Sequence, residues 1–147
     1  YLCYNVSTPA FPLAAYEKED MYKLYLADIG LLISMYGYDM KKAIIDDTLT
    51  GAAKGGIYEN LIADMLVKGG HKLNYFRSQN GETEIEFLIT KEAQIIPVEV
   101  KANRGSTVSL NRILEQTQIP YGYKLISGNV GVNDKKIVLP LYMAMFL

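Results

Sequence analysis

The sequence predicts an α/β domain in which a mixed β-sheet is flanked by helices. Apolar residues recur at helical spacing over residues 57–68, and the pattern then switches to two-residue alternation over 72–76, 84–90 and 95–101. A second helical stretch at 106–117 and two further extended segments, 121–126 and 136–139, complete the order helix, three strands, helix, two strands. At 147 residues the chain fits one domain, and roughly 70% of its unfolded surface is buried at this size.

Residues 1–7, rich in aromatic and β-branched side chains, predict a short strand that Thr8-Pro9 and Phe11-Pro12 end. Glu17-Lys18-Glu19-Asp20 reads as a charged, solvated turn, and residues 23–27 as an extended segment. Asp28 is placed to cap a helix from Ile29 to Tyr36, with Gly37 to end it. Asp39 is expected to cap a second helix from Met40 to about Asp47, and Gly51 to Gly56 reads as a glycine-rich break. That break is not a phosphate-binding loop, because Lys54 is not followed by Ser or Thr and no apolar strand leads into it. On the helix beginning at Ile57, the residues Ile57, Tyr58, Leu61, Ile62, Met65 and Leu66 fill one half of the circumference. Asp64 and Lys68 are expected to face away as an i,i+4 pair, Glu59 falls at the edge of the apolar face, and Gly69-Gly70 stops the helix. In the second helix Val108, Leu110, Ile113 and Leu114 are expected inward, and residues 128–134 read as the turn region between the last two strands.

Composition narrows the chemistry. The net charge of −1 argues against a strongly basic nucleic-acid binder, although a local patch remains open. The single cysteine, Cys3, permits no intrachain disulfide and suits a reducing, cytoplasmic setting. One histidine, His71, leaves no histidine-rich zinc site, and no nucleophile motif accompanies it. No signal peptide is visible, and the apolar stretch 139–147 is too short to span a bilayer. The chain starts Tyr1-Leu2-Cys3-Tyr4 without a Met and is expected to be a piece of a longer polypeptide.

The informative stretch is Gly81-Glu82-Thr83-Glu84-Ile85-Glu86-Phe87, followed by Pro97-Val98-Glu99-Val100-Lys101. Strand alternation puts Glu82, Glu84 and Glu86 on one face, and Glu99 with Lys101 on one face of the next strand. If Lys91 to Gln94 form the hairpin loop, Thr90 faces Ile95, Glu86 faces Glu99 and Glu84 faces Lys101. Opposed Cβ atoms lie roughly 4.5–5.5 Å apart, so the two carboxylates need a cation, a shared proton or a lysine between them. A divalent ion with oxygen ligands, Mg²⁺ or Mn²⁺, would suit Glu86 and Glu99, with Lys101 orienting water or phosphate and Glu59 as an outer carboxylate. Glu84 ranks behind Glu86 as a ligand. The plainer alternative is the wet face of an antiparallel sheet, with Glu84 and Lys101 as a surface pair.

Glu86 followed by Glu99-Val100-Lys101 resembles the PD-(D/E)xK nuclease signature. Residues 23–32, Gly55 to Leu61, Arg77-Ser78 with Gly81 to Phe87, Ile96 to Lys101, and Leu139 to Ala144 resemble successive blocks of a domain of unknown function. That domain is found at the C-terminal end of prokaryotic AAA-like ATPases. The resemblance implies a restriction-endonuclease-like core over 38–147, and over 1–37 the tail of a winged-helix-like segment with its linker. It also implies an upstream P-loop ATPase in the same polypeptide, with ATP bound only there. The family block more often has Asp where this chain has Glu86.

Three functions follow from these observations. The first is a nucleic-acid- or protein-binding regulatory module of the ATPase, with Lys101, Arg104 and Arg112 as phosphate contacts. The second is a Mg²⁺-dependent DNA phosphodiesterase using Glu59, Glu86, Glu99 and Lys101. The third is an oligomerisation domain whose twelve tyrosines supply an interface.

Overall fold

The structure, a computed structural model, describes residues 1–102 and 106–147. The eight strands are β1 (Leu2–Val6), β2 (Glu17–Leu24), β3 (Asn74–Arg77), β4 (Glu84–Lys91), β5 (Gln94–Lys101), β6 (Gly122–Ile126), β7 (Gly131–Asn133) and β8 (Lys136–Pro140). They form one mixed sheet in the order β2-β1-β3-β4-β5-β6-β8-β7. β1 runs parallel to β3, and β5, β6 and β8 run parallel to one another, while the other neighbouring pairs are antiparallel. β1 and β2, from the segment read as preceding the α/β core, therefore belong to the same sheet as the rest.

Helices α1 (Ile29–Tyr36), α2 (Tyr38–Ile45), α3 (Gly51–Lys68) and α4 (Val108–Leu114) complete the fold. α3 covers one side, where Ile62, Ala63 and Leu66 join Phe87, Ile89, Ile96, Val98 and Val100. The short α4 covers the other, where Leu110, Ile113 and Leu114 join Ile85, Leu88 and Ile95. Strands with both sides covered read as near-continuous apolar runs, which is why β4 and β5 carry so few polar residues outside the site.

α1 forms where its cap signals placed it. Asp28 accepts a hydrogen bond from Leu31 N at 2.8 Å, and Gly37 takes φ +89° at the other end. Asn60 on α3 then fixes the chain entering α1. Its Oδ1 accepts from Leu26 N at 2.8 Å and its Nδ2 donates to Leu26 O at 2.9 Å, so a buried amide is satisfied on both sides.

Several expectations are corrected. The charged run 17–20 is not a turn but the start of β2. β2 pairs on one side only, and an edge strand tolerates charge because it is partly solvated. Asp39 lies in the first turn of α2, whose N-cap is Gly37. Residues 51–56 are helical rather than a break. Asp64 does pair with Lys68, at 2.6 Å, but it is buried rather than outward and also accepts from the Tyr1 hydroxyl at 2.9 Å. Val108 is exposed, and residues 131–133 form an extra strand that pairs with β8. The β4–β5 loop has two residues, not four. Lys91 pairs with Gln94, and Glu92 and Ala93 take φ +51° and +62°, as a type I′ turn requires.

A Cβ added at Gly55 meets nothing within 4 Å, so no close approach demands glycine there. Gly55→Ala is expected to raise unfolding stability by about 0.5–1 kcal/mol in denaturant titrations. A loss of stability would mean that this turn of α3 is not helical.

Candidate functional site

β4 and β5 set the geometry. Their register runs from Lys91↔Gln94 through Thr90↔Ile95 to Phe87↔Val98, and the hydrogen-bonded pairs stop there. On the other side of β4, the register with β3 slips by one between Asn74↔Leu88 and Phe76↔Ile85, so Tyr75 faces both Glu86 and Phe87. An extra residue of this kind redirects side chains. Glu86 therefore does not sit squarely opposite Glu99. Its Oε2 accepts from Val100 N at 3.3 Å, and its Oε1 lies 2.8 Å from Lys101 Nζ.

Lys101 joins the two carboxylates. Its ammonium is 2.8 Å from Glu86 Oε1 and 3.8 Å from Glu99 Oε1. Of the three charge-balancing devices the sequence leaves open, the structure shows the lysine. Burial works against the Lys101 charge, but Glu86, Glu99 and Glu59 outweigh it and raise its pKa. Glu99 is 1% exposed, and its Oε2 has no hydrogen-bond partner among the described residues. Burial pushes its carboxyl up to about 7, opposed by Lys101, reinforced by Glu86 and opposed again by Lys124 and Lys136. Lys124, paired with Glu99 across the parallel β5–β6 ladder, is 7% exposed, and burial lowers its pKa.

Glu84 does not pair with Lys101. It takes Lys23 of β2 at 2.8 Å and lies 3.8 Å from Arg77. Glu82 lies before β4 and is 3.4 Å from Arg112. Arg112 also donates to Thr83 Oγ1 at 2.9 Å, so it is engaged within the protein, and Arg104 lies outside the described residues. Glu59 on α3 is held through one oxygen: Lys23 Nζ lies 2.9 Å from its Oε1, and the Tyr25 hydroxyl donates to the same atom. The structure thus brings Glu86, Glu99 and Lys101 into direct contact. It sets Glu59 within electrostatic reach of Lys101, and it separates Glu84 from that group.

Sequence reading missed Lys23, Tyr25 and Lys124. Two-residue spacing does put Lys23 and Tyr25 on one side of an extended segment, but nothing local to 23–27 announces the carboxylates they meet. Lys23 lies over the Tyr75 ring at 4.9 Å from its centroid and reaches Glu84 on β4, with β1 and β3 lying between their two strands.

Among the described residues no three His, Cys, Asp or Glu side chains converge to hold a metal ion. The carboxylates of Glu86 and Glu99, with Glu99 Oε2 buried and without a hydrogen-bond partner among the described residues, are oxygen donors of the kind a divalent cation takes. Among the described residues no helix is long and apolar enough to cross a membrane.

The fold and site together define a mixed α/β domain with a partly buried carboxylate–lysine cluster where its central antiparallel strands part. The chain belongs to the family described as Domain of unknown function (DUF4143), which matches residues 54–144. The matched span holds Glu59, Glu86, Glu99 and Lys101. No curated protein and no solved structure matches the chain.

A raised acid pKa means that the folded state holds the proton more tightly than the unfolded chain. Its stabilising contribution is complete below the ordinary glutamate value of 4.5 and is lost as pH rises through about 7. Glu99→Gln is therefore expected to gain on the parent by on the order of 2–3 kcal/mol between about pH 5 and about pH 8, read from unfolding curves. A gap independent of pH contradicts this.

Proposed function

We propose that this domain is a nucleic-acid-engaging regulatory module of a larger P-loop ATPase polypeptide, with a restriction-endonuclease-like core. The carrying observation is the Glu86–Lys101–Glu99 contact, with Glu99 Oε2 buried and without a hydrogen-bond partner among the described residues. A fixed acceptor without a donor is costly to keep buried, and an incoming cation or donor relieves that cost. The ATPase linkage is supported by the sequence blocks along the chain. Glu86 and Glu99 are the residues to hold Mg²⁺ or Mn²⁺, and Lys101 is the residue to meet a phosphate oxygen. When bound, the ion neutralises phosphate charge and acidifies a coordinated water. Lys101, Lys124 and Lys136 all act on Glu99 and keep the surroundings of the carboxylates from being uniformly acidic.

A second reading, hydrolysis of the phosphodiester itself, is favoured by Lys101. Two carboxylates and an ammonium are the side chains that a metal-dependent hydrolase uses to hold the ion and to orient water or phosphate.

Calorimetric titration of Mn²⁺ with a short DNA duplex present is expected to show binding in the parent and its loss in Glu99→Ala. DNA affinity is expected to fall as salt rises. No Mn²⁺ or DNA binding in the parent overturns the proposal. DNA product formed by the parent but not by Glu99→Ala or Lys101→Ala establishes the second reading, and binding without product establishes the first.

A further inference from the structure

The register of β5, β6 and β8 places three lysines in a diagonal on one side of the sheet. These strands are adjacent and parallel, so residues paired across them point to the same side, as do residues two apart along a strand. Lys101 pairs with Ile126, Glu99 with Lys124, and Gly122 with Lys136. Each lysine therefore stands one strand over and two residues along from the last. With strands roughly 4.8 Å apart and about 3.3 Å per residue, neighbouring Cα atoms in the row are roughly 8 Å apart and its ends roughly 16 Å apart. The side is that of α4. Lys136 Nζ donates to Asn111 Oδ1 at 3.1 Å, and a Cβ added at Gly122 would meet Leu110.

Lys101 is held by Glu86 and Glu99, but the hydrogen-bond partner of Lys136 is the uncharged Asn111 amide, which leaves its charge in place. On the α3 side, by contrast, Lys23 is shared by two carboxylates, Glu59 and Glu84. Lys124 is 7% exposed and stands between the other two. Burial lowers its pKa, Glu99 opposes that, and Lys136 and Lys101 lower it further, so the three cations repel one another. An anion laid along the row relieves that repulsion. The ends of the row are the parts open to it: the Lys101 side chain is 29% exposed, and Lys136 is half-buried.

We propose that the phosphate backbone of DNA lies along this diagonal on the α4 side of the sheet, with Lys101 and Lys136 meeting phosphate oxygens at its two ends and the buried Lys124 keeping the strip between them positive. The inference rests on the nucleic-acid reading and names the surface that reading uses. Each DNA strand carries one phosphate per roughly 3.4 Å of axis, so cations roughly 16 Å apart reach separate phosphates. The contact needs no metal ion.

The test is the affinity for a short DNA duplex, measured in EDTA at several salt concentrations in the parent, Lys136→Gln, Lys136→Arg and Lys41→Gln, the last removing an exposed lysine of α2. In Lys136→Gln the slope of log affinity against log salt is expected to become shallower by about 0.9, as the loss of one phosphate contact requires. Lys136→Arg and Lys41→Gln are expected to keep the parent slope. A parent slope in Lys136→Gln, or an equal change in Lys41→Gln, overturns the proposal. Should Lys136→Gln fail to fold, acetylation of the parent decides: duplex is expected to shield Lys136 and not Lys41, and no shielding at Lys136 overturns the assignment. A parent that binds duplex only with Mn²⁺ supplied overturns the row and leaves the regulatory reading standing, whereas a parent that binds no duplex under either condition overturns both.

Discussion

The Lys101 ammonium, 2.8 Å from Glu86 and 3.8 Å from Glu99, lets two carboxylates share the interior end of two adjacent strands. Without a cation between them, the repulsion and the desolvation would act in the same direction and favour protonation or strand separation. The pairs stop at Phe87↔Val98, and the register slip beside Tyr75 turns Glu86 toward β5. Its longer side chain then spans the opened ladder, with one oxygen on Val100 N and the other on Lys101.

The two covering layers serve that opening unequally. α4 seals its side of the sheet with Leu110, Ile113 and Leu114. α3 packs Ile62, Ala63 and Leu66 against the other side and brings Glu59 to the rim. The amino-terminal strands complete the rim, since β2 supplies Lys23, and Tyr25 follows it directly. Buried polar groups hold this together: Asn60 on Leu26, and Asn5 Oδ1 accepting from Arg77 N at 2.9 Å. Charge, orientation and backbone placement at the site therefore come from segments far apart in the chain.

Sequence legibility followed the range of the interactions. α1 was readable because its cap, Asp28, and its stop, Gly37, are local. The pairing of Thr90 with Ile95 was readable because a short connection at Lys91 to Gln94 sets the register of a hairpin, and the two-residue loop observed keeps that register. β2 was not, since Glu17 to Asp20 look solvated until the strand is known to lie at the sheet edge. The start of α3 hid behind Gly51, Gly55 and Gly56, which lower helix propensity without preventing a helix. Glu92-Ala93 carries none of the Asn or Gly that marks a type I′ turn. At the site, spacing brought Glu86, Glu99 and Lys101 together, but the slip opposite Tyr75 separated Glu84 from Lys101, and no single-strand pattern encodes a slip set by a third strand.

The central claim is that Glu99 is a carboxylate whose proton is held by burial and opposed by Lys101. Its ¹³C carboxyl resonance, followed through a pH titration in the parent and in Lys101→Met, tests this most directly. The account predicts a midpoint near 7 in the parent and a higher one in the variant, because Lys101 favours the ionised form. A parent midpoint in the ordinary range of a solvated glutamate, unmoved by Lys101→Met, would contradict it.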